Sequence, residues 1–190
     1  MENKKNYQKI LQNTIEKLDN TPTLLLHVCC GPCSTIPLNI LKKHFKITLF
    51  FNNSNIYPKE EYDRRLEELK SYLFKSGNSD IPLIVTPYIG EEFLKIIEPY
   101  KELKEGFEYA HKNAFEYFGT VMTISRYKNA QDINKIGENL EKSYPTTKWL
   151  YADFKKEDGY EKSLLICKEH DLYFQEYCGC FYSYKKRLEK

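Results

Sequence analysis

The chain has 190 residues, 41% hydrophobic and 29% charged, which is enough for one good core and short for two domains. A formal net charge of +2 is too small to establish a nucleic-acid partner, and no apolar run approaches membrane-spanning length. Met1-Glu2-Asn3-Lys4-Lys5 leads into no apolar signal core, so the expected location is the cytoplasm, with no membrane partner.

Tyr7, Ile10, Leu11, Ile15 and Leu18 recur at helical spacing over residues 3–18, and Asn20-Thr21-Pro22 ends that helix. Residues 23–28 read as a short buried strand, which stops at Cys29-Cys30-Gly31-Pro32-Cys33. Ser34, followed by Ile36, Leu38, Ile40 and Leu41, reads as the start of a helix. A second strand is expected over 47–51, then a loop over 52–55, with Pro58 in the first turn of a helix reaching about Ser76. Residues 77–80 break that helix before a third strand over 81–85. Residues 90–117 read as largely helical, with Gly106 an interruption, and the mixed aromatic and β-branched stretch 117–124 as a fourth strand. A helix over 132–143, a fifth strand over 148–152 and a helix over 160–170 follow. Residues 172–177 read as a short last strand before Cys178-Gly179-Cys180 and a final helix. Strands alternating with helices imply an α/β fold with a doubly wound, mostly parallel sheet, as one domain over 1–190.

Five of the six cysteines fall in two tight clusters, Cys29/Cys30/Cys33 and Cys178/Cys180, and only Cys167 stands alone. In a reducing compartment such clusters point to metal or catalysis before disulfides. The first lies where a strand meets a helix, at the ligand-binding edge of an open α/β sheet. A helix N-terminus there favours a thiolate that binds metal or attacks substrate. Glycine lets Cys178 and Cys180 turn toward one centre. Soft thiolates favour zinc or iron–sulfur centres, and a four-iron–four-sulfur cluster needs four cysteines. A closed zinc site fits the vicinal pair and the one-residue spacing poorly. Thiols that are merely buried are the other alternative.

His27-Val28-Cys29-Cys30-Gly31-Pro32-Cys33-Ser34, Asn53-Ser54-Asn55-Ile56-Tyr57-Pro58, Glu61-Tyr62 with Arg65, and Tyr177-Cys178-Gly179-Cys180 with Ser183 together resemble the epoxyqueuosine reductase QueH family. Asp153-Phe154-Lys155-Lys156, Gly159 and Ser163 match as well, and Phe118-Gly119-Thr120 through Ser125 and Lys128-Asn129 more loosely. The resemblance implies a Rossmann-like fold and an iron–sulfur metalloenzyme that reduces epoxyqueuosine to queuosine in the anticodon stem-loop of tRNA. It also implies a four-iron–four-sulfur cluster with an additional iron ion, fed by an external electron donor. Carried over by motif, Cys29, Cys30, Cys33, Cys178 and Cys180 are the expected metal ligands.

The chain departs from the family's usual pattern at several places. A Cys-x-x-Cys pair and its helix are missing before Phe118, Ser54 and Arg126 stand in proline positions, Val121-Met122 replace Thr-Leu, and Phe174 stands in an arginine position. Two fewer thiols leave three options open: a cluster held differently, one metal centre only, or another substrate. Rival readings are a cluster-dependent desulfurase or reductase and a non-catalytic relative that binds zinc or tRNA.

Cys33 and Asp153 are the candidate catalytic residues, the first as a thiolate and the second as an acid near the active edge. His27 is a candidate for substrate contact, or else a satisfied core histidine. Asn53, Asn55, Tyr57 and Gln175 are further substrate candidates, as are Arg65, Lys128 and Lys155 for their charge. Asn129 is either a substrate contact or a helix cap. Cys167 is expected in the core.

Overall fold

A computed structural model describes residues 4–90 and 100–189. The part of the expected 90–117 helix that falls on residues 91–99 lies outside them. Helix α1 is Tyr7–Glu16, followed by β1 Thr23–His27, α2 Gly31–Leu41, β2 Lys46–Phe51, α3 Lys59–Lys75 and β3 Leu83–Val85. Next come α4 Lys101–Lys112, β4 Tyr117–Thr120, a 3-10 helix Val121–Ile124, α5 Ala130–Glu141, β5 Lys148–Trp149, α6 Gly159–Glu169 and α7 Phe181–Leu188.

The strands form one five-stranded sheet in the order β3-β2-β1-β4-β5, and every pairing is parallel. Alternation along β1 and β2 explains why both faces are covered. Leu24, Leu26, Leu49 and Phe51 point into one core with Leu38 and Leu41 of α2 and Leu69 and Tyr72 of α3. Leu25 and Phe50 point the other way, against Leu103 and Phe107 of α4 and Ile133 of α5. The doubly wound α/β reading therefore holds, with a sheet that is wholly parallel. The order reverses between β1 and β4, and the crevice at their C-terminal ends is where such sheets bind ligands.

Five expectations are corrected, the last of them over residues 172–177. α2 begins at Gly31, three residues before Ser34, because Cys30 is its cap: the Cys30 sulfur accepts from the Cys33 N–H at 3.3 Å. Gly106 does not interrupt α4; the helix runs through it, and a Cβ there would lie 2.4 Å from Phe118 Cζ. Glycine is the condition for packing that helix on β4. The fourth strand ends at Thr120, whose hydroxyl accepts from the Met122 N–H at 3.1 Å and turns the chain into the 3-10 helix. The fifth stops at Trp149, since the Ala152 N–H bonds the Asn134 side chain at 3.2 Å instead of a neighbouring strand.

No strand forms over residues 172–177. That segment is tied down by side chains: the Tyr173 hydroxyl donates to Glu61 Oε2 at 3.1 Å, and the Tyr177 hydroxyl to the Tyr57 carbonyl at 2.7 Å.

Candidate metal centre and substrate cavity

β1 runs straight into the first cysteine cluster. Cys30 takes an extended backbone as the cap of α2 and is fully buried, while Cys29 and Cys33 are half-buried on either side. The three sulfurs lie within 4.8 Å of one another, close enough to hold a metal ion. Burial alone would raise the Cys30 thiol, but hydrogen bonds from Cys29 and Cys33 and the Arg65 charge hold it well below its ordinary value. The same sharing, with Cys30 as its hydrogen-bond partner, pushes Cys29 up. Among the three sulfurs, these hydrogen bonds and the Arg65 charge favour the thiolate form at Cys30.

The C-terminal pair repeats the pattern. Cys178 and Cys180 sulfurs are 3.3 Å apart, and each thiol reaches the Ser183 hydroxyl, at 3.1 and 3.3 Å. Sharing with Cys178 lowers Cys180 to about 4, with Lys128 assisting, and sharing with Cys180 pushes Cys178 up to about 12. Gly179 between them has φ +104°, a left-handed backbone that disfavours side chains.

Arg65 brings this turn to the sheet. Its Nε donates to Glu61 Oε1 at 2.7 Å within α3, both side chains being almost wholly buried. Its two terminal nitrogens donate to the carbonyls of Cys178 at 3.4 Å and Tyr177 at 3.1 Å. The Tyr57 N–H adds a bond to the Gly179 carbonyl at 2.8 Å. As a result Cys29, Cys33 and Cys178 line one cavity.

Five of the expected substrate residues line that cavity too: Asn53, Asn55, Arg65, Lys128 and Gln175. Asn53 is anchored by its amide to the Val28 carbonyl at 2.8 Å, whereas the Asn55 Oδ1 is buried with no partner among the described residues. Lys128 keeps its charge against the burial that opposes it, because Glu102, Cys178 and Cys180 raise it again. Gln175 sits closest to the sulfurs, its Nε2 2.6 Å from Cys30 Sγ and 3.8 Å from Cys33 Sγ.

The other four, and the catalytic candidate Asp153, do not line it. His27 is fully buried between Thr120 Oγ1 at 3.0 Å and the Asn52 carbonyl at 3.3 Å, and burial lowers it to about 4. Neutral His27 thus ties the ends of β1, β2 and β4 together beneath the cysteines. Tyr57 packs on Phe181 and Tyr184, holding α7. Asn129 accepts from the Gln131 N–H at 3.0 Å as the cap of α5. Asp153 accepts from the Lys155 N–H at 3.4 Å, and Lys155 Nζ donates to the Thr123 carbonyl at 2.6 Å and the Lys128 carbonyl at 3.2 Å. These two brace the wall from behind.

The sequence reading missed Arg126, Tyr127, Tyr160 and Phe174 as wall residues. The first two lie between the 3-10 helix and α5, at the crevice where the strand order reverses, so their place in the topology was the available signal. Phe174 and Arg126, both departures from the family pattern, face the same cavity.

A family model described as Epoxyqueuosine reductase QueH matches residues 24–186. The chain belongs to the QueH family. A relative from Streptococcus pyogenes serotype M1, named Epoxyqueuosine reductase QueH, is 38% identical over 95% of this chain and 78% of its own length. Relatives of the same name from Staphylococcus aureus and Thermotoga maritima are 36% and 30% identical, covering 96% and 88% of this chain and 86% and 93% of their own lengths. The QueH match thus spans both cysteine clusters and the whole cavity wall.

Proposed function

We propose that the chain is an iron–sulfur oxidoreductase that converts epoxyqueuosine to queuosine in the anticodon stem-loop of tRNA. The observation that carries this reading is the opening of both cysteine clusters onto one cavity, in a chain whose relatives are named for that activity. Removing an epoxide oxygen as water consumes two electrons and two protons, so an external electron donor is required.

The donor set fits an iron–sulfur centre. Three sulfurs within 4.8 Å and a fourth thiol on the same cavity are soft ligands in the number a four-iron–four-sulfur cluster needs. Cys29, Cys30, Cys33, Cys178 and Cys180 would hold it, and with five thiols an additional iron ion would complete its ligands from other groups. When bound, the metals supply single-electron transfer and a Lewis acid.

The remaining work falls to the chain's own residues. Arg65 and Lys128 place two cations beside the thiolates and offset their charge. Lys128 also carries a proton at the cavity wall. Asn53, fixed by its bond to Val28, and Asn55, whose buried acceptor is unpaired among the described residues, position the nucleoside. Tyr127 and Arg126 are exposed at the cavity wall, where nucleotides flanking the reacting base would stack and place their phosphates.

No described helix is long and apolar enough to cross a membrane, and a tRNA substrate supports a cytoplasmic location. The test is nucleoside analysis of tRNA from a host lacking its own reductase and expressing this chain. Queuosine replacing epoxyqueuosine supports the reading. Unchanged epoxyqueuosine beside a loaded iron centre would transfer the chain to another reduction, such as a desulfuration.

A further inference from the structure

Gln175 joins a buried sulfur to the cavity. Cys30 is fully buried and lies behind the cavity wall, which carries its neighbours Cys29 and Cys33. Gln175 touches Cys30 and also lines the cavity. Gln175 is about nine-tenths buried, and its Oε1 has no hydrogen-bond partner among the described residues. A metal-bound thiolate is only an acceptor, so the sulfur selects the amide nitrogen and leaves the oxygen to another donor. An unpaired buried carbonyl oxygen is costly, and an N–H or O–H donor brought in by a ligand would relieve it.

We propose that Gln175 is a positioning residue that couples the metal site to substrate recognition: its amide N–H groups hold Cys30 and Cys33, and its Oε1 accepts a hydrogen bond from an N–H or O–H of the nucleoside in the cavity. Only the identity of that nucleoside rests on the function proposed above. The segment around Gln175 has no secondary structure of its own, and this side chain adds a contact with the Cys30 cap of α2 to the Tyr173 and Tyr177 bonds that hold residues 172–177.

The experiment compares the unaltered chain with Gln175→Met and Gln175→Glu. Methionine keeps the length and removes both halves of the amide, while glutamate keeps an acceptor and removes the N–H donors. Cobalt(II) titration, read by the thiolate-to-cobalt charge-transfer band, reports the sulfur side. Affinity for tRNA carrying epoxyqueuosine, against the same tRNA carrying guanine, reports the cavity side.

Gln175→Met is expected to weaken cobalt binding about tenfold and shift the band, the size seen when a group supporting metal ligands is lost. It is also expected to lose about fivefold in preference for epoxyqueuosine tRNA, the loss of one neutral hydrogen bond. Gln175→Glu should recover most of the preference and none of the cobalt affinity. If Gln175→Met leaves both band and preference unchanged, or if Gln175→Glu restores neither more than methionine does, the coupling is refuted while the function stands. If the unaltered chain shows no preference, the assigned substrate fails and the cavity half of the coupling fails with it.

Discussion

Arg65 donates from Nε to Glu61 Oε1 at 2.7 Å and, from the other end of the same guanidinium, to the carbonyls of Tyr177 and Cys178. One buried ion pair therefore sets where the second cysteine cluster lies relative to the first. Replacing Glu61 by Gln leaves the guanidinium buried without its carboxylate, an expected loss of about 3 kcal/mol of stability. The Tyr173 hydroxyl loses its charged acceptor as well. Urea unfolding of the metal-free protein measures the stability, and iron content after anaerobic loading is expected to fall in parallel.

Gly179→Ala tests the turn itself. With φ at +104° and a Cβ that would lie 2.8 Å from Arg65 Nη1, alanine is strained both in its backbone and against the guanidinium. The expected cost is about 1–3 kcal/mol, concentrated on residues 172–188. Hydrogen exchange should show faster exchange there and unchanged protection in β1, β2 and β4.

Cysteine identity separates site from core. Cys167 is buried in α6 with its thiol pushed up to about 11 by burial, so Cys167→Ala should leave bound iron unchanged. Cys30→Ala removes a clustered sulfur and the cap of α2 together. Iron binding is expected to fall at least tenfold, with about 1 kcal/mol of helix stability lost besides. Iron content and thermal melting of both variants check this.

His27 makes the metal-free fold sensitive to acid. Burial lowers it to about 4, from 6.5 in the unfolded chain, so between those values the unfolded state binds a proton that the folded state does not. Stability is full above pH 6.5 and falls as pH drops toward 4, by about 3 kcal/mol in all. His27→Gln should flatten this part of the pH profile in urea unfolding of the metal-free protein.

The parallel sheet was legible because short apolar runs alternate with amphipathic helices, and because both faces of β1 and β2 are apolar. The 3-10 helix was not: Val121, Met122, Thr123 and Ile124 are all buried, and a wholly buried run shows no period. Residues 172–177 carry strand-like side chains but find no strand to pair with, and their order comes from Glu61, Cys30 and Tyr57, distant in sequence. At the site, Cys29, Cys30 and Cys33 are close because five residues of turn and helix cap leave them little choice. Asn129 and Lys155 have residue types suited to a substrate, but one spends its side chain on a helix cap and the other on two carbonyls. Arg126 and Phe174 stood out in the sequence as departures from the family pattern, but their place on one wall follows from the topology that puts their loops at the same crevice.

The most direct test of the central claim is iron and acid-labile sulfide per chain after anaerobic reconstitution, in the unaltered protein and in a Cys178→Ser/Cys180→Ser double variant. About four irons and four sulfides in the first, and loss of the intact cluster in the second, are expected if the two cysteine groups grip one centre. A double variant that retains the full iron and sulfide complement would contradict it, because the first three thiols would then hold the centre without the C-terminal turn.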